Sequence, residues 1–189
     1  MTSFTMLEQA RRNPALRTAR RNGHDGFVET YKQYYPRLFA YIYARVGNPH
    51  QSEDIVSDVF ERVYLKLDSL RDPDALATWL FTIARNAIVT HVRKHSRETV
   101  VDHDVMIELS PATASVESEV MHREDLASVA RAVRTFSQRE QDIISLKFDA
   151  ELANAQIGRV MGLTEQNVRV IIFRTIRKLR KIMAAQRTA

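Results

Sequence analysis

The chain has 189 residues, 44% of them hydrophobic and 27% charged, enough apolar material for one core or two small ones. It holds no cysteine, which excludes disulfide scaffolds, thiolate metal sites and cysteine nucleophiles and fits a reducing compartment. The longest wholly apolar run, Leu38 to Ala44, is too short to span a bilayer, and residues 1–24 lack the apolar stretch of a signal peptide, so a cytoplasmic protein without membrane insertion is expected.

The net charge of +5 conceals an uneven layout. Residues 1–24 carry +4, with Arg11, Arg12, Arg17, Arg20 and Arg21; residues 25–97 carry +1, residues 98–125 carry −7, and residues 154–189 carry +7. This predicts two folded units joined by an acidic connector, the C-terminal one suited to a polyanion. Glycine occurs only at 23, 26, 47, 158 and 162, proline only at 14, 36, 49, 73 and 111, and no stretch keeps a strand-like alternation. The folded parts are therefore expected to be all-α.

The first predicted helix runs from Phe27 through Tyr31, Tyr34, Leu38, Tyr41 and Ile42 and is stopped by Gly47, Asn48 and Pro49. In the second, Ser52 is expected as N-cap with Glu53 and Asp54 in the first turn, and Ile55, Val59, Phe60, Val63 and Leu67 as the buried stripe. A polar loop, Asp68 to Asp74, leads to a third helix from about Ala75 to Arg97. Its inner face is expected to be Trp79, Leu80, Ile83, Ala87 and Ile88, with Arg85, Asn86, His91, Arg93, Lys94 and Arg97 toward its end. Residues 98–125, with eight acids and Pro111, read as a flexible linker, since such a composition cannot repay its ordering entropy by burial. Fully stretched it reaches about 95 Å.

Beyond the linker, helices are predicted at Leu126 to Thr135 and Ser137 to Phe148, the latter with Ser137 and Glu140 as a capping box. Ala155 to Met161 is a short amphipathic helix, Gly162 a turn, and Thr164 the cap of a longer helix. That order is a helix-turn-helix, whose second helix enters the major groove. At 100° per residue Val168, Ile172, Thr175, Leu179 and Met183 share one face, with Ile171 and Ile176 at its margins. The opposite face carries Gln166, Arg169, Val170, Phe173, Arg174, Arg177, Arg180 and Lys181. Its cations suit phosphates, and Gln or Arg near the start suits base edges. Val170 and Phe173 leave three readings open: contact with thymine methyls, docking of a protein helix, or a rotated helix in which they are core.

These motifs resemble those of the extracytoplasmic-function (ECF) sigma factors of bacterial RNA polymerase. SEDIVSDVFERVY (Ser52 to Tyr64) is similar to the family's second-region helix, TWLFTIARNAIVTHVRK (Thr78 to Lys94) to its TWLxxIARN stretch, and SQREQDIISLKF (Ser137 to Phe148) with the following helix-turn-helix to its fourth region. The resemblance covers about 25–97 and 126–185. It implies a sigma region 2 module at 25–97, a linker at 98–125 along the path of nascent RNA, and a region 4 module at 126–185, with 1–24 a basic arm outside the minimal plan. It further implies binding to core RNA polymerase (β′ clamp helices and β flap) through Asp54, Asp58 and Glu61. Asn86, His91, Arg93 and Lys94 would contact the −10 element, and the loop Asp68 to Asp74 would pocket a flipped base. Gln166, Asn167, Arg169, Val170, Phe173, Arg174 and Arg177 would lie at the −35 element. An anti-sigma factor is implied as a partner and no cofactor is. The chain departs from the family at Arg169, Val170 and Ile171, where Lys-Ser-Arg is usual.

Two rival readings have less behind them. A metalloenzyme could use His91 and His95 at i, i+4, or Glu53, Asp54 and Asp58, but the histidines stand among cations in HVRKH, and no third ligand or phosphate-cradling glycine motif is near. An autonomous helix-turn-helix activator would need a dimer interface or a sensor domain, and residues 25–97 have no pocket-forming pattern.

Overall fold

The computed structural model describes residues 23–67, 70, 72–95 and 126–186, and among these every regular element is helical. The helices are α1 (Gly23–Val46), α2 (Pro49–Lys66), α3 (Leu76–His95), α4 (126–134), α5 (Gln138–Phe148), α6 (Asn154–Met161) and α7 (Glu165–Gln186), with a 3-10 turn, Pro73–Ala75, before α3. They form two compact units, one holding α1–α3 and the other α4–α7. The arm at 1–22, the acidic stretch at 98–125, and Arg97 at the expected end of the third helix lie outside the described residues.

The first unit is a three-helix bundle. α1 continues through Pro36, whose missing N–H leaves the Lys32 carbonyl without its helical partner on an exposed side, where water can serve it. Gly47 then ends α1 in the left-handed region (φ 73), its N–H donating to the Tyr43 carbonyl at 2.9 Å. The start of α2 differs from the sequence reading. Asn48 is the N-cap, its Oδ1 accepting from Gln51 N–H at 3.0 Å, and Pro49 takes the first helical position. Ser52 lies inside the helix, fully buried, its hydroxyl donating to the Asn48 carbonyl at 2.7 Å, so Glu53 and Asp54 miss the first turn. Pro49 was counted as a stop for α1, although proline suits the beginning of the next helix equally well.

Leu38, Tyr41 and Ile42 of α1, Val56, Val59 and Val63 of α2, and Leu80 and Phe81 of α3 are fully buried, with Tyr41 and Phe81 edge to face at 5.6 Å. Each such large side chain contributes roughly 1.5–3 kcal/mol by leaving water. The inner face of α3 also needs correction. Leu76, Ala77, Leu80, Phe81, Ala84 and Ile88 are buried, whereas Trp79, Ile83 and Ala87 are half-buried. α3 packs against both α1 and α2. The buried face is centred further round the helix, toward Phe81 and Ala84, than the expected one.

The second unit is held by turn chemistry. Glu140 N–H donates to Ser137 Oγ at 3.4 Å, while the Ser137 N–H and hydroxyl donate to Glu140 Oε2 at 2.8 and 2.7 Å, so the expected capping box starts α5. α6 begins at Asn154, with Gln156 Oε1 accepting from Ala153 N–H at 2.9 Å. Gly162 closes α6 in the left-handed region (φ 67), and Leu163 N–H reaches back to the Gly158 carbonyl at 2.8 Å. Gly158 is itself constrained by space: a Cβ there would lie 2.7 Å from the Leu163 carbonyl oxygen. These contacts set α7 across α5 and α6, burying Ile143, Leu146, Ile157 and Val168 between them.

Candidate nucleic-acid interface

α7 begins where Thr164 Oγ1 accepts the N–H of Asn167 at 3.2 Å. Val168 and Thr175 are buried, and Ile171, Ile172, Ile176, Leu179 and Met183 are half-buried. The Thr175 hydroxyl is satisfied by the Ile171 carbonyl at 2.9 Å. The opposite face is open: Gln166, Asn167, Arg169, Val170, Phe173, Arg174 and Arg177 are all exposed. Phe173 is 67% and Val170 41% exposed, so neither belongs to the core and the rotated-helix reading is set aside. The helix phase read from the sequence is the phase observed.

Not every cation near this face is free. The Arg169 Nη2 donates to Glu165 Oε1 at 3.0 Å, an exposed pair of small energetic value that a phosphate can displace. Lys178 turns toward α5, its Nζ 3.6 Å from Glu140 Oε2 and 4.7 Å from the centre of the Phe136 ring. The hydrogen bonds from Ser137, and then Lys178, hold the Glu140 carboxyl below its usual range. Glu140 therefore caps α5 and tethers α7 with one carboxylate.

A groove of about 370 Å³ separates the start of α5 from α7, with Ser137 and Arg139 on one bank and Asn167, Val170 and Arg174 on the other. Arg139 is exposed and was missed from the sequence. Its signal was available: a cation in the first turn of a helix opposes the helix dipole, so an exposed arginine there is at odds with helix stability alone.

In the first unit, Asp54, Asp58 and Glu61 are exposed and follow i, i+4, i+7 on one face of α2. Tyr64 (54% exposed) and Leu65 (72% exposed) extend the exposed surface of α2 as an apolar end that the sequence reading passed over. Toward the end of α3, Asn86, Arg93 and Lys94 are exposed, Asn86 and Arg93 sharing a face two turns apart. His91 is set apart from them, half-buried, its Nε2 3.3 Å from Gln51 Oε1 on α2. Val89 and Val92 are exposed among these polar groups. Of the loop expected to hold a flipped base, Asp68, Ser69 and Arg71 lie outside the described residues. Asp72 accepts the Asp74 N–H at 3.0 Å and thereby starts the 3-10 turn that leads into α3.

Along α1 the aromatic residues Phe27, Tyr31, Tyr35, Phe39 and Tyr43 stand at i, i+4 spacing, successive ring centres 5.2–6.4 Å apart. Phe27 and Tyr31 also meet Phe60 of α2 at 6.2 and 4.6 Å. Burial, with Tyr31 and Glu53 nearby, pushes the Tyr35 hydroxyl above its ordinary value. This ladder was legible as an i, i+4 repeat, yet only Phe27 and Tyr31 were read from it.

Residues 30–98 match the Sigma-70 region 2 family and residues 132–181 match the Sigma-70, region 4 family. The ECF RNA polymerase sigma factor BldN of Streptomyces coelicolor is 28% identical over 180 residues, covering 93% of this chain and 67% of its own. SigM of Bacillus subtilis, also an ECF RNA polymerase sigma factor, is 25% identical over 155 residues, covering 82% of this chain and 93% of its own. The chain belongs to the ECF sigma factors. As such it serves RNA polymerase in promoter recognition and transcription initiation. The fold of this sigma factor matches CnrH, solved with the cytosolic domain of CnrY, at a TM-score of 0.65 and 19% identity, over 90% of this chain and 96% of that one. It matches RpoE of Bartonella quintana, solved with the anti-sigma factor NepR, at 0.67 and 21% identity, over 84% and 96%. No helix among the described residues is long and apolar enough to cross a membrane.

Proposed function

We propose that this sigma factor performs no chemistry itself and acts in the cytoplasm through two modules. Residues 25–97 bind core RNA polymerase and the melted −10 element, residues 126–185 bind the duplex −35 element, residues 98–125 form an acidic connector, and residues 1–24 form a basic arm. The observation that carries this reading is the open face of α7, where Gln166, Arg169, Arg174 and Arg177 are exposed behind a glycine turn on a helix anchored from the other side. A helix of that kind fills a major groove, its first turns reaching base edges and its arginines the phosphates.

The first module supports the same reading through its separation of charge. Asp54, Asp58 and Glu61 offer α2 to a basic protein surface such as the β′ clamp helices, while Asn86, Arg93 and Lys94 at the end of α3 suit a nucleic acid. His91 would act beside them, its ring oriented by Gln51. Extruding a base from a duplex costs a few kcal/mol, which a pocket in the loop before α3 together with a basic helix end offsets. An anti-sigma factor is the further partner we propose, on the analogy of the RpoE–NepR pair.

Run-off transcription with core RNA polymerase tests the proposal. The purified chain is expected to program promoter-specific initiation while binding duplex DNA weakly alone. Tight sequence-specific binding to duplex DNA without polymerase, and no stimulated transcript, would instead describe an autonomous activator.

A further inference from the structure

The face of α7 is polar at both ends and apolar in the middle. Gln166, Val170 and Arg174 succeed one another at i, i+4, i+8 along one side of the helix, and Phe173 stands beside Val170 and Arg174. The eight helical steps from Gln166 to Arg174 span about 12 Å, or three to four base-pair steps. If Gln166 and Arg174 both reach the groove, Val170, 41% exposed between them, meets the base pair in between.

The chemistry of the groove floor limits what a valine can meet there. Adenine, guanine and cytosine present hydrogen-bond donors or acceptors in the major groove, and thymine alone adds an apolar group, its C5-methyl. A branched aliphatic chain pressed on an amino or carbonyl edge strips water from it and returns no hydrogen bond. Pressed on a methyl group, it buries apolar surface on both sides. Phe173, two-thirds exposed beside it, widens the apolar contact toward the next step. Resting on the reading of α7 as the −35 helix, we propose that Val170, flanked by Phe173, is a specificity residue that selects thymine in the −35 element through its C5-methyl group.

The test begins with the full chain assembled on core RNA polymerase and a promoter pool randomised across the −35 region. Enrichment of a sequence with thymine on either strand within the α7 footprint is expected. Each thymine is then replaced by deoxyuridine, which removes only the methyl group. One position should lose about fourfold in affinity, the value of burying one methyl-sized group. In Val170→Ser that loss should fall to within about 1.5-fold while the rest of the sequence preference survives. Val170 is exposed, so the serine variant keeps the fold, and an unchanged circular-dichroism melt checks this. An enriched sequence without thymine, an unaltered affinity with deoxyuridine, or a deoxyuridine loss that persists in Val170→Ser overturns the inference. Weaker binding of Val170→Ser to core polymerase without DNA would overturn it too, by making the apolar pair a protein contact. No enrichment at all at −35 would overturn the underlying reading of α7, an outcome distinct from the others.

Discussion

The two units achieve order by different means. α1–α3 are long helices that bury large side chains, Leu38, Tyr41, Val59 and Phe81 among them, against one another. α5–α7 are held at their turns by the Ser137–Glu140 box, the tight approach at Gly158, the left-handed Gly162 and the Thr164 cap, while α7, the longest helix among the described residues of its unit, fully buries only Val168 and Thr175. On the proposed reading of α7 as the −35 helix, the difference follows from task. A helix that must offer one whole face to a groove gives up half its burial, and local turn energy has to position it.

If this contrast is right, the largest losses come from the first unit's core. Phe81→Ala is expected to cost about 3–5 kcal/mol, read as lost hydrogen-exchange protection in α1–α3. In the second unit a single added methyl should do comparable harm: Gly158→Ala forces the Leu163 carbonyl away and is expected to cost about 1–3 kcal/mol, with reduced protection in α6 and α7. A cost below about 0.5 kcal/mol would show that the turn yields freely. Arg174→Ala, exposed and outside either core, should leave stability unchanged and polymerase binding intact while weakening −35 binding about tenfold. Equal loss of both kinds of binding would make Arg174 part of a protein interface.

Glu140 gives the smallest and most diagnostic effect. Glu140→Ala is expected to cost about 1 kcal/mol at neutral pH, in denaturant melts of the full chain. Because Ser137 and Lys178 depress its folded-state pKa, its stabilisation is fully present above the ordinary carboxylate value and is lost as pH falls through the depressed one. The gap between wild type and variant should therefore narrow in acid. A gap constant from neutral pH to below the carboxylate range would mean that the side chain acts by packing alone.

Much of the site could be read before the fold was known. The 3.6-residue period assigned Val168, Thr175 and the basic face of α7 to their proper sides, and Ser-x-x-Glu at 137–140 marked the cap of α5, because both signals are local. The start of α2 was misread since Asn48, Pro49 and Ser52 are all acceptable cap or first-turn residues, and only the hydrogen bonds choose among them. The face of α3 was misread since more than one helix phase fits its apolar residues, and only packing against α1 and α2 puts Leu76, Phe81 and Ala84 inside and leaves Trp79 and Ile83 half-buried. The Gln51–His91 contact joins residues far apart in the chain, and no periodicity connects them to the site.

The sequence alone determined that the chain is helical, that its charge divides into a nearly neutral block, an acidic stretch and a basic end, and that a helix-turn-helix lies in the last of these. Each depends on residue identity and short-range spacing. Only the tertiary structure decided that Val170 and Phe173 stand exposed, that Lys178 pairs with Glu140 of α5, and that Gly158 can bear no side chain. Those outcomes depend on which neighbour fills the space beside a residue, and that is settled by packing between helices.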